Sequence, residues 1–294
     1  MFANAITKVS DFTRPVHSIV RTYGSKQIIP AAGTLFFVNE EACAITCKHI
    51  LTSILDGNNK NTRFKQFADE RNKIPHDSKY KKNLKGLELK YHYDESSIVQ
   101  IKTTFMDCVD KMSGFTCDMH PEYDLGIIRF NGYSQLRYNN FATFLKDSNK
   151  IKQGDSLCRL GFPFPEFTNY RFNETTDDIE WTKEGMSSSP IFPLDGMVTR
   201  FLADKKGISG IELSTPGLLG QSGGPLFNQN GVIYGMQFST KHLHLGFDMV
   251  DKEILINNKH KKVTDYSFIH LGQCVHVDVI KNFLREKKVK FYEA

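Results

Sequence analysis

Apolar positions along the chain fall in short runs, alternating or continuous, broken by turn residues. Gly33-Thr-Leu-Phe-Phe-Val38 predicts a strand, Asn39-Glu-Glu41 a turn, and Ala42 to Cys47 the return strand. Further strands are expected at Leu125 to Phe130, at Ser156 to Leu160 (stopped by Gly161-Phe-Pro-Phe-Pro165) and at Gly210 to Ser214. Pro225-Leu-Phe227, the turn Asn228-Gln-Asn-Gly231 and Val232 to Phe238 predict a hairpin. Near the C-terminus the period changes. Apolar residues at 279, 280, 283 and 284, behind Asp278 as N-cap, predict an amphipathic helix. Many short strands, few helices and no internal repeat point to an all-β protein.

Composition narrows this only a little. The 294 residues are 40% hydrophobic, and 23 phenylalanines can fill a substantial core. No apolar run approaches the roughly 20 residues of a membrane span, and the first twenty residues carry Lys8, Asp11 and Arg14 with no apolar leader. A reducing, cytoplasmic setting is therefore expected for the six cysteines. Cys43, Cys47 and His49 could suggest a metal site. On a strand, however, the two cysteines would stand about 13 Å apart, too far for one ion, so no metal or other cofactor is expected. The net charge of +5 is uneven: residues 60–90 hold ten Lys/Arg against four acids. A solvated loop is the plainer reading of that segment, and nothing interleaved with it argues for nucleic acid.

The candidate chemistry centres on Gly217-Leu-Leu-Gly-Gln-Ser-Gly-Gly-Pro-Leu-Phe227. Ser222 stands among glycines that let the backbone turn sharply, and the amides of Gly220 and Ser222 can converge to form an oxyanion hole. A serine hydroxyl needs a base and a group to orient that base. His49, in Ile45-Thr-Cys-Lys-His-Ile50, and Asp124, in Glu122-Tyr-Asp-Leu-Gly-Ile-Ile128, supply them. Gly-Gln-Ser-Gly-Gly also fits the nucleophile elbow of α/β-hydrolases, but that motif requires a helix after the serine. Here a proline and a hairpin follow.

Thr46-Cys-Lys-His49, Asp124-Leu-Gly-Ile127 and Gly220-Gln-Ser-Gly-Gly-Pro225, in this order, resemble the three motif blocks of trypsin-like, chymotrypsin-fold serine proteases. The style is closest to bacterial Deg/high-temperature-requirement protease domains, which share a neutral residue at the place of Gln221. The resemblance implies two six-stranded antiparallel β-barrels with the active site in the cleft between them, plus the C-terminal helix. The first barrel would span residues 1–145, carry His49 and Asp124, and contain a basic insertion near 52–100. The second would span 150–294 and carry Ser222. It further implies a Ser222–His49–Asp124 triad acting on protein or peptide substrates. A catalytically silent protease fold that binds proteins is the alternative.

Departures from the family pattern carry expectations too. Ile50 replaces the cysteine that extracellular members bridge to an upstream partner. Gln221 replaces the aspartate that pairs with a newly cut N-terminus, so the zymogen switch should be missing, although an activating partner remains open. Phe238 falls where many members have a serine supporting the aspartate. Pro216 would floor the primary substrate pocket, and Phe238, Ser239 and Thr240 would wall it. With no acid there, small or apolar side chains are expected in preference to Lys or Arg.

Overall fold

The computed structural model describes residues 2–294. A short helix, α1 (Ala3–Ser10), leads into the first three strands, β1 (Thr13–Thr22), β2 (Ile29–Phe37) and β3 (Cys43–Thr46). Two helices follow, α2 (Lys48–Arg71) and α3 (Tyr80–Tyr91), then β4 (Ile98–Phe105), β5 (Gly114–Met119) and β6 (Gly126–Asn131). These six strands form one antiparallel sheet in the order β4-β1-β2-β3-β6-β5. The expected hairpin around Asn39 is β2–β3. Its tightness comes from Asn39, whose Oδ1 accepts from the amide of Glu41 at 2.9 Å.

The chain continues through β7 (Thr143–Phe144), β8 (Ser156–Gly161), β9 (Tyr170–Asn173), β10 (Asp178–Trp181), β11 (Phe192–Asp204) and β12 (Gly207–Leu213). It then forms β13 (Pro225–Phe227), β14 (Val232–His244), β15 (Met249–Ile256), β16 (Lys259–Asp265) and β17 (Phe268–His276), followed by α4 (Val277–Glu286) and β18 (Tyr292–Glu293). The second sheet runs β13-β8-β11-β12-β17-β14-β7-β18, and a further β13–β14 pairing closes it. The all-β, two-barrel expectation holds. The second sheet has eight strands rather than six because the two-residue β7 and β18 join it, both through parallel pairings. The C-terminal helix falls where its period predicted. Its N-cap is His276, whose ring accepts from the Asp278 amide at 3.3 Å, and Asp278 sits in the first turn instead.

One continuous core, including Phe36, Phe37, Phe144, Phe227 and Phe283, runs between the two sheets. Hydrophobic burial of this kind, at about 25 cal/mol per Å², is the main force holding the two sheets together.

The basic stretch read as a solvated loop is helical. The reason lies in a sparse stripe that the charges obscure: Leu51, Ile54, Gly57, Phe64 and Phe67 share one buried face of α2. Gly57 lets the helix lie close on β4, since a Cβ there would stand 3.2 Å from Ile101. Phe64 and Phe67, with Leu87 and Tyr91 of α3 and Val99 of β4, make a second small core. The positive charges point outward, and several are paired, as in Lys90–Glu70 and Arg71–Asp177. Phe67→Ala should therefore destabilise the protein by about 3–5 kcal/mol. Urea titration tests this: an unchanged midpoint would mean that the segment contributes no core.

Candidate active site

Each of the three motif blocks sits at the end of a different piece of the fold. His49 follows the hairpin's return strand β3 directly and occupies the first turn of α2. Asp124 lies two residues before β6, and Ser222 lies in the loop between β12 and β13. The β3–β6 pairing, Thr46↔Gly126, brings the first two together. The Asp124 carboxylate receives the His49 ring Nδ1 at 2.6 Å on one oxygen and the His49 amide at 2.9 Å on the other. Burial raises the Asp124 pKa, but the His49 ring, the His49 amide and the Lys48 amide outweigh it, and the net shift is downward. The carboxylate so held fixes one imidazole orientation and leaves Nε2 without a hydrogen-bond partner among the described residues.

Lys48, the residue before His49, has a structural job. Its Nζ donates to the carbonyls of His120 at 2.9 Å and Pro121 at 3.2 Å, tying the start of α2 to the turn that presents Asp124. His120 in turn accepts from the amides of Glu122 and Tyr123, each at 3.1 Å. Nothing in the sequence singled out that turn.

Ser222 and His49 line the same cavity, with no direct hydrogen bond between the side chains in this conformation. The loop around Ser222 is bound to the first sheet through Thr34. The Thr34 amide donates to the Ser222 carbonyl at 3.0 Å, and its hydroxyl donates to the Gly220 carbonyl at 2.7 Å while accepting from Phe162 N at 3.2 Å. Gly220 and Gly223 have φ of 90° and 85°. A Cβ at Gly220 would strike the Phe162 carbonyl, and one at Gly223 the Thr34 carbonyl, so both positions require glycine. Among the described residues, the amides of Gly220 and Ser222 donate to no protein acceptor. Gln221 is fully buried and braces the loop from within: its Oε1 accepts from Leu218 N at 3.0 Å and its Nε2 donates to Phe192 O at 3.2 Å.

The residues expected to form the substrate pocket are tied to one another and to the strands behind them. Phe238 is the extra residue of a β-bulge against β17, between the paired Gln237 and Ser239. Thr240 Oγ1 donates to the Gly217 carbonyl at 2.7 Å, bridging the two walls. Behind Pro216, the fully buried Arg159 donates to Gln237 Oε1 at 2.9 Å and to Thr215 Oγ1 at 2.5 Å. A Cβ at Gly217 would strike the Gln237 amide, and one at Gly272 the Arg159 guanidinium, so these two side chains pack directly against the two glycines. Sequence reasoning passed over Arg159 and Gln237. The available signal was a charged residue inside the apolar run Leu157-Cys-Arg-Leu160.

Cys47, His49 and Asp124 bring potential ligand atoms within 4.8 Å of one another. The set does not suit an ion. Burial, and then the Asp124 charge, push the Cys47 thiol well above its ordinary pKa, and the thiol donates to the Gln237 carbonyl at 3.3 Å. Both Asp124 oxygens are already engaged by His49.

The family model of the trypsin-like peptidase domain matches residues 33–236, and the chain belongs to that family, a class of serine peptidases. Among solved structures, two of the HtrA-type protease AlgW with a tripeptide are similar at 11% and 12% identity. Each match covers 97% of this chain and 62% of the other, with TM-scores of 0.46 and 0.45. This chain thus spans about 62% of the length of those two. No curated protein matches the sequence.

Two outcomes follow from the geometry. Thr34→Val should lower stability by about 2 kcal/mol or more, because the Gly220 carbonyl and the Phe162 amide lose their partner. Thr34→Ser should restore most of it, and equal urea midpoints for wild type and Thr34→Val would contradict the stitch. Cys47 should resist iodoacetamide in the folded protein at pH 7.5 and react only on unfolding. Rapid modification mapped to Cys47 by peptide mass would show that its thiol is neither buried nor protonated.

Proposed function

We propose that this chain is an intracellular serine endopeptidase that cleaves protein or peptide substrates with Ser222 as nucleophile, His49 as base and Asp124 as the group that orients the base. The observation that carries the reading is the paired Asp124–His49 contact, ring at 2.6 Å and amide at 2.9 Å, on the wall of the cavity that Ser222 also lines. In this mechanism Ser222 Oγ attacks the scissile carbonyl as His49 Nε2 takes its proton. The proton then passes to the leaving amine, and water repeats the sequence to release the acyl group. Asp124 stabilises the imidazolium formed in between. The free amides of Gly220 and Ser222 receive the developing oxyanion, a contribution worth about 3–4 kcal/mol per donor in comparable sites.

Gln221 supports activity without a proteolytic switch, since its side chain already braces the loop that a new ammonium group would otherwise order. All six cysteines are free, which supports a reducing compartment. Among the described residues, no helix is long and apolar enough to cross a membrane. The slot behind Pro216 offers a buried guanidinium rather than a carboxylate, which supports exclusion of Lys and Arg before the scissile bond.

Ser222→Ala and His49→Ala should each abolish turnover of a casein substrate without shifting the thermal midpoint by more than a degree or two. Asp124→Asn should slow it by roughly 10⁴ by freeing the wrong imidazole tautomer. Uncut wild-type protein should be active. Turnover that persists in Ser222→Ala would assign the activity elsewhere, and an inert wild type would favour the binding-module alternative.

A further inference from the structure

We propose that substrate selection rests on the residue after the scissile bond, and that this residue is apolar. The inference deepens the peptidase reading above and rests on it. A cavity of about 430 Å³ opens beside His49 and Ser222. One wall comes from β1, β2 and α2, through Val16, Ala31, Ile50 and Ile54; the other comes from Pro163 and Leu219. None of Pro216, Gln237, Phe238, Ser239 or Thr240 lines it, so it is separate from the slot expected to hold the residue before the bond.

The chemistry decides which part of the substrate enters it. His49 must hand its proton to the leaving nitrogen, so the leaving segment departs on the imidazole side. Ile50, Ser53 and Ile54 extend that side along α2, and Gly33 and Ala31 continue it along β2. The cavity therefore receives the first side chain of the leaving group. Its lining is largely apolar and, beyond the catalytic His49, holds no Asp, Glu, Lys or Arg. Leu219, three residues before Ser222, is 94% exposed at its rim, an apolar surface that a bound side chain would cover. On the acyl side, the Thr240–Gly217 bridge and the packed Gln237 and Arg159 leave little room for selection.

Acyl transfer isolates this site, because the attacking amine occupies the leaving-group position by microscopic reversibility. With the full chain and an N-acetyl-alanyl thioester, water and an added amino-acid amide compete for the acyl-enzyme. The amine nitrogen bonds to the acyl carbon and the bond to Ser222 Oγ breaks. The amine proton goes to His49 Nε2 and is returned to Oγ. Leucinamide and phenylalaninamide should capture the acyl group about tenfold or more better than glycinamide, and lysinamide no better than glycinamide. Ala31→Trp, which fills the cavity from an exposed strand position, and Leu219→Asp should each erase most of that ratio. The ratio is taken within each variant, so a change in overall rate cancels. Equal capture of all four amides would overturn the proposal while thioester hydrolysis still upheld the peptidase reading. A preference that survives both substitutions would likewise overturn it. No thioester hydrolysis at all would remove both readings together.

Discussion

The arrangement depends on a single buried residue of β2, Thr34, which joins the first sheet to the loop of the second. Its amide and hydroxyl hold the Ser222 and Gly220 carbonyls, and its own carbonyl accepts from Thr46 Oγ1 at 2.7 Å. Thr46 ends β3, three residues before His49. The same few atoms thus set both the serine loop and the approach to the histidine. Each such bond is worth only about 1 kcal/mol net, but leaving its buried partner unpaired costs more, and that asymmetry holds the loop in place.

Around that stitch the chain invests in rigidity on one side of the cleft and leaves room on the other. Asp124 is clamped by the ring and amide of His49, and the turn before it is held by Lys48. Next to Thr215, Gln237 is bound by Arg159, an arginine that has no carboxylate within salt-bridge distance among the described residues. Burying such a charge is expensive, and its three acceptors from Thr215 and Gln237 offset only part of the cost. The open volume lies instead beside the first turns of α2, ahead of the basic segment.

Much of this was legible in the sequence because the relevant signals are local. The strand at Gly33, the hairpin after Pro225 and the helix after His276 are each announced by a clear period and its breakers. The glycines around Ser222 are required by backbone collisions that no other residue escapes. What escaped reading was set by tertiary packing. The apolar stripe of α2 is only five positions in twenty-four residues, so surface charge masked it, and its second core exists only because α3 and β4 supply the other half. Arg159 and Gln237 meet across strands 78 positions apart, a contact that no local pattern could announce.

The most direct test of the account is covalent: treat the uncut protein with a fluorophosphonate and locate the adduct by peptide mass spectrometry. The account predicts one adduct per chain, on Ser222, that disappears in His49→Ala. Absence of an adduct from the folded wild type, or an adduct on any residue other than Ser222, would contradict it.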